Sequence, residues 1–290
     1  MRIEILGTPF NGLGSPPHRE NPADGLRRAQ LARQLTSRGH TVTDLGDLAG
    51  FQFLNIRDPE TEISDYHAWV ALSAHLSIKV SDMLEREAFP LLLGGDCSML
   101  VGIMAAFGNR RTPVGLVFLD GHADFHNSET SPDGDPADME LAILIGRGPH
   151  AITHVSAKYP MLREDDIVVY GIRARDQIDQ STIRVYDRQQ MAERGIQAVV
   201  TEGLERFIHK GLPIWLHFDV DVLDPPLMPV MYPEPDGLTC EETATFLQFV
   251  WARGKTVGMS IACYHPDLDA DGSAGARLVN LVAEALSSHV

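Results

Sequence analysis

The chain of 290 residues has little cysteine: only Cys97, Cys240 and Cys263. Three are too few for a disulfide framework, so the expected compartment is a reducing one, the cytoplasm. Basic residues are also scarce. Twenty-four Lys and Arg face 40 Asp and Glu, giving a formal net charge of −16. That balance argues against nucleic acid or an anionic membrane as a partner. No apolar run reaches the length of a membrane span. Residues 1–7 read as a first strand and lack the apolar core and cleavage region of a secretory leader. Internal repeats, low-complexity blocks and an inter-domain linker are missing too, so one domain over 1–290 is expected. What is present is globular: 44% hydrophobic and 22% charged residues, enough for a sizeable core.

Apolar runs of strand length alternate with longer helical patterns. Strands are expected at 3–6, 41–45, 90–93, 114–119, 167–170, 214–218 and 256–261. Helices are expected at 25–38, about 65–87, from about 98, and at 275–287, with a loop rich in Gly, Pro and Asn after the first strand. This alternation predicts an α/β fold, a mostly parallel sheet covered by helices on both faces.

Three strand ends carry chemistry. The run Phe118-Leu119-Asp120-Gly121-His122-Ala123-Asp124-Phe125-His126 sets Asp, His and Asp at i, i+2 and i+4 after an apolar stretch. Alternate side chains of an extended segment share a side, so Asp120, His122 and Asp124 would be presented together. Carboxylate oxygens and an imidazole suit a divalent metal. In Trp215-Leu216-His217-Phe218-Asp219-Val220-Asp221, two more aspartates stand at i and i+2. In Leu91-Leu92-Leu93-Gly94-Gly95-Asp96-Cys97-Ser98, a buried strand ends in two glycines that permit a tight turn, then a polar trio. Taken singly, each motif reads as a turn or a helix cap, and Cys97 as a small buried residue. Together they place four carboxylates at buried strand ends, a costly arrangement unless something cationic compensates it. The polar loop 127–138 follows the first motif, where open α/β folds place substrate loops.

These motifs resemble the ureohydrolase superfamily of arginase, agmatinase and formiminoglutamase. Gly25-Leu26-Arg27, Asp44-Leu45-Gly46-Asp47-Leu48 and Gly237-Leu238-Thr239 extend the resemblance over nearly the whole chain. It implies a three-layer α/β/α fold with about eight strands, a homotrimer or homohexamer, and a small-molecule substrate. It also implies a binuclear metal centre, most naturally Mn²⁺. Asp120 and Asp219 would bridge both ions, Cys97 and Asp124 would complete the more buried one, and His122 and Asp221 the other. The implied reaction is hydrolysis of a linear amidine or guanidine C–N bond by a hydroxide bridging the metals, oriented by Asp124. His126, Asp135, Asp176 and Cys263 would contact substrate, with His126 also an acid/base candidate. Arg173 lies in the same substrate loop as Asp176.

The sequence departs from the family pattern at three places. Cys97 stands where the family has His, which opens the site to the softer ions Zn²⁺ and Fe²⁺, and to Co²⁺ or Ni²⁺. Cys263-Tyr264-His265-Pro266 stands where guanidine-cleaving relatives carry Glu-Xaa-Asn/Ser-Pro, and a thiol cannot make the bidentate pair a guanidinium favours. Asp267 and Asp269 are near in sequence. Ala137 stands where arginase-like enzymes carry a proton-moving His. These losses keep two alternatives open: a non-catalytic, regulatory member, and a mononuclear, deacetylase-like amide hydrolase. His217 is expected behind the ligands or in the core, and His150, His154 and His209 carry no usable spacing.

Overall fold

The computed structural model describes residues 1–10 and 20–287. The expected Gly-, Pro- and Asn-rich loop falls largely in 11–19, outside the described residues. The strands are β1 (Arg2–Thr8), β2 (Thr41–Asp47), β3 (Phe89–Gly94), β4 (Gly115–Leu119), β5 (Ile167–Tyr170), β6 (Arg184–Tyr186), β7 (Ile214–Asp219) and β8 (Thr256–Ala262). The helices are α1 (Pro22–Arg28), α2 (Leu31–Ser37), α3 (Tyr66–Glu85), α4 (Met99–Asn109), α5 (Glu140–Leu144), α6 (His150–Thr153), α7 (Arg188–Arg194), α8 (Ile196–Lys210), α9 (Cys240–Arg253) and α10 (Ser273–Ser287).

All eight strands join one parallel sheet in the order β2-β1-β3-β8-β7-β4-β5-β6. Alternation along the buried strands sends side chains to two cores. Leu91, Leu93, Val117, Leu119 and Leu216 pack with α1, α2 and α7 to α10 on one face. Leu92, Leu116, Phe118 and Trp215 pack with α3 to α6 on the other. This is the expected three-layer architecture. Burying each large apolar side chain contributes roughly 1.5–3 kcal/mol.

Two local expectations are corrected. The helix expected at 25–38 is two helices, because Gln30 adopts a left-handed φ of 67° between them. The first begins earlier, at Pro22, with Asn21 capping the Ala23 amide at 2.9 Å. Gly25 lies inside it, since a Cβ there would meet the Tyr264 ring at 2.8 Å. Strand β6 was not foreseen: a three-residue Arg-Val-Tyr segment gives no alternation to read. The N-terminal segment holds itself together electrostatically. Arg27 bonds Asp44 at 2.8 Å, Asp47 at 2.8 Å and Asp24 at 2.9 Å, tying α1 to the exposed edge strand β2.

The order puts β3, β8, β7 and β4 side by side in the centre of the sheet. Their register aligns Leu93 with Ile261, Ile261 with Phe218, and Phe218 with Leu119. Because the strands are parallel, the residues following each of them emerge at one edge. Those residues are the three acidic or cysteine motifs and Cys263.

Candidate metal centre

The outer part of the cluster is Asp120, His122, Asp219 and Asp221. Asp221 accepts from the Gly121 amide at 2.9 Å and lies 2.8 Å from His122 Nδ1. Asp120 accepts from the His122 amide at 2.8 Å, and Asp219 from the Asp221 amide at 2.8 Å. Gly121 is required here: a Cβ would stand 2.7 Å from Arg173 Nη2 and 2.8 Å from Asp221 Oδ1. Ligand atoms of Asp120, His122 and Asp221 lie within 4.8 Å of one another, a spacing that can hold a cation. Burial opposes the His122 imidazolium, but the hydrogen bond and charge of Asp221 raise its pKa to about 9. Burial likewise opposes the Asp221 carboxylate, and the bond to His122 still holds it below the usual range. Asp219 is pushed up to about 7 by burial, then by Asp221.

The inner part is Cys97, Asp124 and Glu140, whose ligand atoms also lie within 4.8 Å of one another. Cys97 Sγ donates to Asp219 Oδ2 at 2.8 Å and lies 3.8 Å from Asp120 Oδ2. Burial pushes its thiol well above the usual range, helped by the contact with Cys263 and by the Asp219 charge. Asp124 is driven up by burial and by Glu140 facing it. Glu140 is fully buried, and burial keeps its carboxyl well above the usual range. Asp124 and Cys263 both hold left-handed backbone, φ 44° and 63°, a strained conformation for residues with side chains that clusters at functional sites.

Behind Cys97 runs a chain of hydrogen bonds. Trp215 Nε1, a donor only, gives to Ser260 Oγ at 3.0 Å. Ser260 Oγ also lies 2.8 Å from His217 Nδ1, and His217 Nε2 lies 3.2 Å from Cys97 Sγ. His217 is buried, stacked on Phe118, and kept neutral by burial, with a pKa of about 3. It thus lies buried behind Cys97.

A cavity of ≈ 380 Å³ opens above the cluster. Its wall holds carboxyls beyond the metal-type ones: Asp133, Asp135, Asp138, Asp176 and Glu234. Burial pushes Asp135 to about 6 and Asp138 to about 7. Asp176 accepts from the Ala123 amide at 3.2 Å and lies 3.4 Å from His126 Nε2.

The sequence-expected residues Cys97, His122, Asp124, His126, Asp135, Asp176, Asp219, Asp221 and Cys263 all line this cavity, with Asp120 just beneath. Cys263 lines the cavity with its Sγ within 4.8 Å of ligand atoms of Cys97 and Asp219. Ala137 also lines this wall. Arg173 does not line this cavity. Its guanidinium donates to the carbonyls of Val222 at 2.9 Å and Asp221 at 2.6 Å, bracing the end of β7. Asp269 accepts from Tyr264 Oη and the Ala274 and Gly275 amides at the start of α10, away from the cavity. Sequence reasoning assigned no role to Glu140, Asp138, Tyr232 or Glu234. Only Glu140 carried a signal: an acid heading the otherwise apolar run Leu141–Leu144.

The arginase family model matches residues 1–287. An arginase of Bacillus subtilis (strain 168) is 27% identical over 290 residues, covering 98% of this chain and 97% of the relative. A crystal structure of arginase from Bacillus subtilis superposes with a TM-score of 0.88 at 26% identity, covering 99% of this chain and 98% of that one. Formimidoylglutamase from Bacillus subtilis subsp. subtilis str. 168 shares the fold, with a TM-score of 0.77 at 17% identity, covering 99% of this chain and 86% of that one.

Proposed function

The chain belongs to the arginase family, and we propose that it is a binuclear metal-dependent hydrolase acting on a C–N bond of a cationic linear amidine that is not arginine. One observation carries this reading: Asp120, His122, Asp124, Asp219 and Asp221 gather at one sheet edge under a cavity walled by further carboxylates. The donor set fits two divalent ions. It is mainly hard oxygen with one imidazole, and it leaves the buried Glu140 oxygens without a partner. Asp120 and Asp219 would be shared, Cys97 and Asp124 would hold the inner ion, and His122 and Asp221 the outer. Mn²⁺ follows from the family resemblance; Zn²⁺, Fe²⁺, Co²⁺ or Ni²⁺ would gain from the softer Cys97. When bound, such ions acidify a water and neutralise the carboxylates.

The remaining steps belong to the side chains. Asp124 accepts a hydrogen bond from the attacking water and aims it into the cavity. His126, beside Asp176, passes a proton to the leaving amine. Asp135 and Asp176 hold the cationic groups of the substrate. Cys263 offers no carboxylate for a bidentate guanidinium pair, which favours a hydroxyguanidine, a formimino group or another amidine over arginine. The same reading takes the working form as a cytoplasmic homotrimer or homohexamer. No helix among the described residues is long and apolar enough to cross a membrane.

The test is release of urea, ammonia or amine from guanidino, hydroxyguanidino, formimino and amide compounds by metal-loaded protein. Turnover of a cationic amidine, with arginine a poor substrate, is expected. Arginine as the best substrate would refute the rebuilt-pocket reading. A second reading, a mononuclear or non-catalytic member, is favoured by the Cys97 thiol donating to Asp219 Oδ2 at 2.8 Å, where an inner ion would compete for that oxygen. One ion per chain, or two with no turnover of any C–N substrate, would establish it instead.

A further inference from the structure

Glu140 opens α5, a helix buried along its whole length. Its side chain is 0% exposed, and neither Oε1 nor Oε2 meets a hydrogen-bond partner. Loop 127–138 folds back to put it there: the Leu141 amide donates to the Asp124 carbonyl at 3.2 Å, and the His126 amide to the Asp138 carbonyl at 2.9 Å. The carboxyl faces Asp124 and Cys97, with ligand atoms of all three within 4.8 Å of one another. Cys97 and Asp124 line the cavity, whereas Glu140 does not, so it stands behind them and away from substrate.

A carboxyl in such a place has two readings. It can pack idle against Asp124, or it can give its oxygens to a cation. The first wastes the position, because the residues that follow, Leu141, Ala142, Ile143 and Leu144, are apolar and an apolar side chain would avoid the desolvation.

We propose that Glu140 is a ligand of the inner metal ion, completing the donor set that Cys97 leaves short. The inference rests on the binuclear reading above. A cysteine sulfur sits one bond beyond Cβ, so it reaches less far than the imidazole that the family has at this position. The three-carbon reach of a glutamate closes the gap from the α5 side. The resulting set of Asp120, Asp124, Asp219 and Glu140 with Cys97 is rich in hard oxygen. It pulls the inner site back toward Mn²⁺, against the softening effect of the sulfur.

The test is calorimetric titration of Mn²⁺ into metal-stripped wild type, Glu140→Gln and Glu140→Leu, with metal counting and melting curves. Wild type should bind two ions. Both variants should keep one at wild-type affinity and bind the second at least about tenfold more weakly. Metal-free, both should melt no lower than wild type, since a buried unpartnered carboxyl has gone, but both should lose part of the Mn²⁺-induced rise in melting temperature. Two ions at wild-type affinity in either variant would overturn this inference alone. Fewer than two ions in wild type would overturn it together with the binuclear reading.

Discussion

In the outer half of the acidic cluster, every carboxylate has a donor: the amides of Gly121, His122 and Asp221, and the His122 ring. In the inner half, Asp124 and Glu140 face each other and Cys97, and burial drives all three up in pKa. The outer half carries its own positive charge, a histidine with a pKa of about 9. The inner half has none of its own. The outer carboxylates are therefore already held by donors of the protein. The inner ones face each other and a thiol, and on the reading proposed above a bound cation would compensate them.

The largest effect that can break this comparison is at Asp219, which touches both halves. Asp219→Asn should lose both ions and lower turnover by about 10³-fold, since removing even one preorganised polar contact costs about 10²–10³. Metal counting and kcat check it; loss of one ion only would make the halves independent. Next, His122→Asn should weaken one ion by about 10- to 100-fold and leave the other, while Cys97→His should tighten the other toward Mn²⁺ by about tenfold. Unchanged stoichiometry and affinity in Cys97→His would remove Cys97 from the ligand set. A smaller effect belongs to the cavity wall. Asp138→Asn should raise KM for a cationic substrate by about fivefold at pH 8 with kcat little changed, following loss of one partly screened charge pair. An equal fall in kcat would move Asp138 into the chemistry.

The smallest effect is on stability against pH in metal-free protein. Asp135, Asp138 and Asp219 titrate near 6, 7 and 7 when folded, against 3.8 as their ordinary value. The folded state therefore holds protons that the unfolded state has released, and stability falls as pH rises from about 4 through 7. His122, at about 9 against 6.5, adds stability that is complete below pH 6.5 and lost as pH rises through 9. Both act in one direction, so the metal-free melting temperature should decline between pH 5 and pH 9. The scale is about 2–4 °C for each kcal/mol. Mn²⁺ should raise it most at the alkaline end; a metal-free optimum at pH 8 or above would contradict the raised carboxyls of Asp219 and the cavity wall and the raised His122 imidazole.

Most of this molecule was legible in its sequence where one physical constraint dominated. Strands buried on both faces read as apolar runs, so 167–170 was placed to the residue and 214–218 fell one short of β7. Metal-type residues were found because they follow those strands directly. What stayed hidden depended on the chain folding back. Glu140 lies sixteen positions after Asp124 and meets it only through two loop hydrogen bonds. The break at Gln30 was hidden because apolar periodicity does not register a single left-handed residue.

The central claim is a two-ion centre of unequal halves. Anomalous scattering from crystals soaked in Mn²⁺ tests it most directly. Two peaks are predicted, one among Asp120, His122, Asp219 and Asp221, the other among Cys97, Asp120, Asp124, Glu140 and Asp219. A single peak in the outer half at saturating Mn²⁺, or none in either, would contradict the account.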